Sequence, residues 1–203
     1  MAMRLGPRFA FAALVLLAGA AAIVPIASAD SLLGLNNNCG STSQPFAQFG
    51  DSRLYTFGTN GGLESGSTGW SLAGASVVRG NETFYVHSTA DKQSLSLPAG
   101  ATALTPQLCM GTTSTVVRFF DRSGNGGSLR VQIVLRNLVG SVIGVLDWTT
   151  INGSTSWQPS PSLLNLDSLL ALLGVSSIQL KFIALSGTTQ IDDVYVDPWW
   201  SRS

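Results

Sequence analysis

"SLRVQIVLR", residues 128–136, is the stretch that decides how this chain folds. Leu129, Val131, Ile133 and Leu135 occupy alternate positions, with Arg130, Gln132, Val134 and Arg136 between them. A period of two sends one set to each face of an extended strand, so the leucine-rich set faces a core and the other faces out. "SIQLKFIA" (177–184) repeats the pattern through Ile178, Leu180, Phe182 and Ala184. Working outward, short runs rich in β-branched and aromatic residues predict strands near Arg53–Phe57, Ser71–Arg79, Thr83–His87, Gln93–Leu97, Thr115–Arg122, Ser128–Arg136, Ser141–Thr149, Ser177–Leu185 and Thr189–Val196. "RSGNGG" (122–127) and "LSGTT" (185–189) have hairpin-turn composition. "NLVGS" (137–141) is a short link that pairs the strands on either side of it. Many short strands at regular spacing predict an all-β chain, a sandwich or jelly roll.

One segment departs from that pattern. "SPSLLNLDSLLALLG" (160–174) carries seven leucines, with Ser162 or Asn165 able to cap and Gly174 able to terminate. It predicts one short helix near 163–173, inserted between strands. That helix either covers an open end of the sandwich or presents its leucines to a partner.

The first thirty residues bear on the compartment. Arg4 and Arg8 precede an apolar run from Phe9 to Val24, which ends in Ala27-Ser28-Ala29. Basic n-region, apolar h-region and small-residue cleavage triplet predict a signal peptide over 1–29 and a secreted chain over 30–203, a single β-sandwich domain. No second apolar run of spanning length follows, so no stable membrane span is expected after signal removal. The sequence holds 11 basic and 11 acidic residues, and losing Arg4 and Arg8 takes the balance from zero to −2. There is no basic stripe for a nucleic-acid partner. Cys39 and Cys109 are the only cysteines. An even pair in an oxidising compartment predicts a disulfide. Two buried thiols, or half of a metal site, are the other readings.

Catalysis has little support. His87 is the single imidazole, and no G-x-S-x-G elbow surrounds a serine. Asp91, Asp121 and Asp147 offer carboxylates, but no spacing opposes two of them as glycoside hydrolysis requires. The expectation is a non-catalytic protein. Binding is better served. Sugars stack on aromatic faces while polar neighbours take the hydroxyls, and the candidates are Trp148 and Trp157, with Tyr85, Arg130 and Asp147. Trp70 and Trp148 are equally good core anchors. If Trp148 is buried, alternation turns Asp147 outward. The tail pair Trp199 and Trp200 follows Pro198.

"NGGLESGSTGWSL" (60–72), "RFFDRSGNGGSLRVQIVL" (118–135) and "QIDDVYVDP" (190–198) together carry a family resemblance. In that order they resemble the secreted galactose-binding-like jelly rolls, several carbohydrate-binding module families among them, over most of residues 55–197. The chain also looks like secreted proteins of high-GC Gram-positive bacteria. The resemblance implies a jelly-roll β-sandwich whose first and last strands lie side by side, a structural calcium beside them, and a glycan partner. Glu64 and Asp192 would be the metal ligands, with Asp193 on the opposite face of its strand. Otherwise Glu64 pairs with Arg79 or Arg53, and Asp192 caps a turn. A structural or adhesive cell-envelope protein with no small ligand is the alternative function.

Overall fold

A computed structural model describes residues 39–110, 115–166 and 174–197. The leader over 1–29 and the Trp199–Trp200 tail lie outside the described residues. Among the described residues there are eleven strands: β1 Thr42–Ser43, β2 Tyr55–Phe57, β3 Ser71–Ala73, β4 Ser76–Arg79, β5 Gln93–Pro98, β6 Thr102–Leu104, β7 Thr115–Arg136, β8 Val142–Asn152, β9 Gln158–Pro159, β10 Leu163–Leu166 and β11 Ser177–Asp197. The chain is a jelly-roll β-sandwich.

β7 and β11 form an antiparallel spine, from Ser177↔Arg136 at one end to Asp197↔Val116 at the other. β6, β5 and β2 follow one another along the far edge of β11. β8, β9 and β10 do the same along the far edge of β7. The expected side-by-side placing of the first and last predicted strands is met by β2 on β11, Phe57 opposite Tyr195. The Ser128–Arg136 and Ser141–Thr149 runs are paired as expected through β7 and β8.

The spine folds over on itself, and that makes the two layers. Phe119 and Phe182 meet edge to face with ring centroids 5.0 Å apart. Phe182 is the ladder partner of Val131, which a straight strand would hold about 40 Å from Phe119. "RSGNGG" and "LSGTT" are therefore not hairpin links. They are one coupled bend inside two continuous strands, where Ser128↔Ser186 and Gly124↔Thr188 put more residues on β7 than on β11. Gly126 and Gly187 take φ of +68° and +61° there. A β-carbon on Gly187 would lie 2.7 Å from the Gly127 Cα, so only glycine fits.

The main core fills the space between the layers. Leu129, Val131, Ile133 and Leu135 meet Ile178, Leu180, Phe182 and Ala184 there, all buried as their alternation requires. A second cluster lies on the other face of the Thr115–Arg122 half, where Val116 and Phe120 pack with Phe46, Tyr55, Trp157 and Tyr195. The Arg118 guanidinium lies 4.4 Å over the Phe46 ring and donates to the Ser160 carbonyl and to Asp51. Cys39 and Cys109 are bonded, with Cα atoms 5.6 Å apart.

Two further expectations change. Leu163–Leu166 is a strand paired to Val117 and Thr115, not the start of a helix; residues 167–173 lie outside the described residues. The edge of β7 needs a partner for its N–H and C=O groups, and that need outweighs leucine's helix propensity. Thr83–His87 is a loop, not a strand. The Glu82 carboxylate accepts the N–H groups of Phe84 and Val86, which wraps the chain around it, and Tyr85 takes a positive φ of 51°.

Candidate metal centre and binding groove

The glycines of "TNGG" and the acids of "IDDV" make one structure. Between Asp192 and Tyr195 the ladder to β7 slips, and Asp193 sits at φ +46°. A bulge of this kind re-aims side chains. Alternation would have sent Asp193 to the face opposite Asp192; the bulge leaves both fully buried. The 58–62 loop closes over the bulge, with Gly58 donating its N–H to the Val194 carbonyl. A β-carbon on Gly61 would stand 2.7 Å from that carbonyl oxygen, and one on Gly62 2.8 Å from Asp193 Oδ1. The two glycines are there because no side chain fits between loop and bulge.

Four buried carboxylates converge at this seam. Asp192 Oδ2 accepts the Glu82 N–H at 2.8 Å, and its Oδ1 accepts the Asp193 N–H. Asp91 Oδ2 lies 2.6 Å from His87 Nδ1. The His87 ring stacks on Phe57, centroids 3.8 Å apart. One ligand atom each from His87, Asp91 and Asp193 falls within 4.8 Å of the others. The His87 backbone N–H favours the charged form of Asp193, yet neither Asp193 oxygen has a hydrogen bond of proper geometry. Burial, then the charge of Asp193, pushes Asp192 up to about 9. Burial, then Glu82 and Asp91, pushes Asp193 up to about 8. Glu82 is raised by burial despite its backbone donors. No lysine or arginine bonds to any of the four among the described residues. Buried charge without a partner is costly, so this group suits a cation.

Neither of the two metal ligands read from the sequence is in the His87, Asp91 and Asp193 set: Asp192 is buried next to Asp193, but both its oxygens accept backbone N–H groups. Glu64 stands at the margin of the group: its Oε1 accepts the N–H groups of Lys92 and Gln93, both at 2.7 Å, and it pairs with neither Arg79 nor Arg53 among the described contacts. Glu82, Asp91, His87 and Asp193 were not read as ligands. Glu82 had one signal, a lone acid beside the Gly80-Asn81 turn.

The binding candidates separate. Arg130, Asp147, Trp148, Thr149 and Thr150 line a shallow concavity of about 300 Å³ on the outer face of β7 and β8. Trp148 is half-buried against the main core and still reaches the groove. It is an extra residue: Val131 faces Thr149 and Gln132 faces Asp147, so a bulge at Trp148 removes it from the alternation. Asp147 Oδ1 accepts from Gln132 Nε2 at 2.7 Å. Trp157 does not contribute. It is buried in the second cluster, with the Arg122 guanidinium 5.0 Å over its ring. Tyr85 is exposed, but on the loop beside the acidic group and not in this groove.

No family model matches the chain, and no curated protein matches it. Solved structures do. The family 22 module and catalytic module of Clostridium thermocellum endo-1,4-β-D-xylanase 10B, complexed with xylohexaose, are 11% identical over 70% of this chain, with a TM-score of 0.48; the chain spans 28% of that protein's length. The module TmCBM61, in complex with β-1,4-galactotriose, is 15% identical over 68% of this chain and 95% of its own, with a TM-score of 0.46. A carbohydrate-binding module of Cellvibrio mixtus lichenase 5A, in complex with cellotriose, is 16% identical over 70% of this chain and 95% of its own, with a TM-score of 0.41.

Proposed function

We propose that the chain is a secreted, non-catalytic module that binds a glycan in the β7–β8 groove, on a sandwich braced by calcium. Trp148 carries the glycan assignment. Half-buried at the bulge, it lines the groove beside a guanidinium and a carboxylate, which suits a sugar ring with its hydroxyls at the margins. A glycan array on the purified protein, followed by calorimetry on any hit, is the test. Trp148→Ala and Arg130→Ala should each weaken binding at least about tenfold, roughly 1.4 kcal/mol. A blank array, or binding that Trp148→Ala leaves intact, refutes it.

The acidic seam supports the calcium. Asp193 would be the central ligand through its oxygens, with Asp91 beside it and His87 completing the set; oxygen donors are the chemistry calcium takes. Bound there, the ion would offset the repulsion between the carboxylates and pin the 58–62 and 81–92 loops to β11. Chelation should lower the melting temperature, calcium should restore it, and Asp193→Asn should abolish the response. Recovery with zinc and not calcium would give the site to the His87 nitrogen instead. The bonded Cys39–Cys109 pair supports a place outside the cell. The alternative, an adhesive envelope protein without a small ligand, has one observation of its own: the exposed apolar run at 138–146.

A further inference from the structure

β8 is an edge strand whose only ladder partner among the described residues is β7. Ten large apolar side chains are exposed among the described residues, and six of them fall in one stretch: Leu138, Val139, Val142, Ile143, Val145 and Leu146. They run from 40% to 82% exposed, and residues 137–146 contain no charged side chain. Edge strands are ordinarily blunted by lysine, proline or inward charge, because a bare row of N–H and C=O groups is a template for another strand. In β8 the Val142–Leu146 stretch has none of these; the strand carries two bulges and one charge, Asp147. The ladder slips at Ile143 and at Trp148, leaving Gly144–Asp147 as the regular stretch between them.

Whatever covers this edge must pair its backbone and also cover apolar side chains on both faces of the strand. Val145 lies opposite Val134 on the outer face, while Leu146 lies opposite Ile133 on the core side. An identical edge meets both demands at once. The patch amounts to roughly 500 Å² on one copy, as large as monomers usually tolerate. Two copies bury roughly 1,000 Å², the lower bound of a specific interface. We infer that the chain forms a two-fold dimer through β8, each copy laying Gly144–Asp147 antiparallel to the other so that one sheet continues across the axis. Same-face residues must meet across a ladder, so the axis falls on a residue rather than between two. Val145 is that residue. A register centred there keeps the two Asp147 carboxylates about 13 Å apart along the strands; one centred on Asp147 would set like charges face to face. This dimer does not depend on what the neighbouring groove binds.

Sedimentation of the purified protein over a range of concentrations tests it. The wild type should sediment as a dimer, and Val145→Lys as a monomer that still unfolds in one cooperative transition, at a midpoint that no longer depends on concentration. If that variant fails to fold, Val142→Lys serves in its place. Val145→Cys should cross-link to itself on oxidation, because directly opposed residues of an antiparallel pair have Cα atoms about 4.5–5.5 Å apart. A wild type that stays monomeric at hundreds of micromolar overturns the inference. So does a dimer that both lysine variants leave intact, since another surface would then hold it.

Discussion

Asp121 shows at the scale of one residue what burial does to a carboxylate without a cation. Its neighbour Phe120 belongs to the second cluster, and Asp121 points the other way, into the sandwich. It is fully buried, Oδ1 has no partner, and Oδ2 has only Gln158 Nε2 at 3.5 Å. Burial pushes it up to about 6 from an ordinary 3.8. The sign follows from proton binding. Between about pH 4 and 6 the folded state holds a proton that the unfolded state has released, so stability falls as pH rises through that window. The full cost is present above it, about 1–3 kcal/mol. Asp121→Asn should therefore raise the unfolding free energy by about that much at pH 7.5 and change it little at pH 4, as read by urea unfolding at both. A variant less stable than wild type at pH 7.5 would show that the charged form has a partner.

At the scale of elements, the bend in β7 and β11 separates the sandwich from a flat ribbon. Its two positive-φ glycines differ in a way that can be measured. Gly126 has open space where a side chain would go, so Gly126→Ala meets only the left-handed backbone penalty, about 1 kcal/mol. Gly187 adds a backbone collision at 2.7 Å, and Gly187→Ala should cost about 2–4 kcal/mol. Denaturant midpoints of the two variants compare them directly; equal losses would mean that the bend yields without repacking. In the sequence these glycines look like hairpin turns, because composition marks where a chain changes direction and does not say whether the ladder continues through.

At the scale of the whole molecule, the disulfide closes a long covalent loop, Cys39 and Cys109 being 70 positions apart in sequence. The chain-entropy account assigns such a loop roughly 4 kcal/mol. The double variant Cys39→Ser/Cys109→Ser should lose about 2–4 kcal/mol in chemical denaturation. A loss below about 1 kcal/mol would mean that the Phe46, Tyr55 and Arg118 contacts hold the N-terminal segment by themselves.

By itself the sequence determined the fold class, the core faces of the long strands, the β7–β8 pairing and the cysteine partners. Each rests on a simple signal: a two-residue period, a short link, or an even pair of cysteines behind an export leader. Tertiary structure decided where the alternation breaks. A bulge exists only relative to a partner strand, so no pattern within "IDDVYV" or "VLDWTT" could announce that Asp193 turns inward or that Trp148 reaches the groove. It also decided which acids meet. Glu82 donates to Asp192 across 110 residues of chain, and Asp91 reaches Asp193 through His87, because the 81–92 loop packs on the end of β11. Residue type can nominate a carboxylate, but its companions are set by which segments the core draws together.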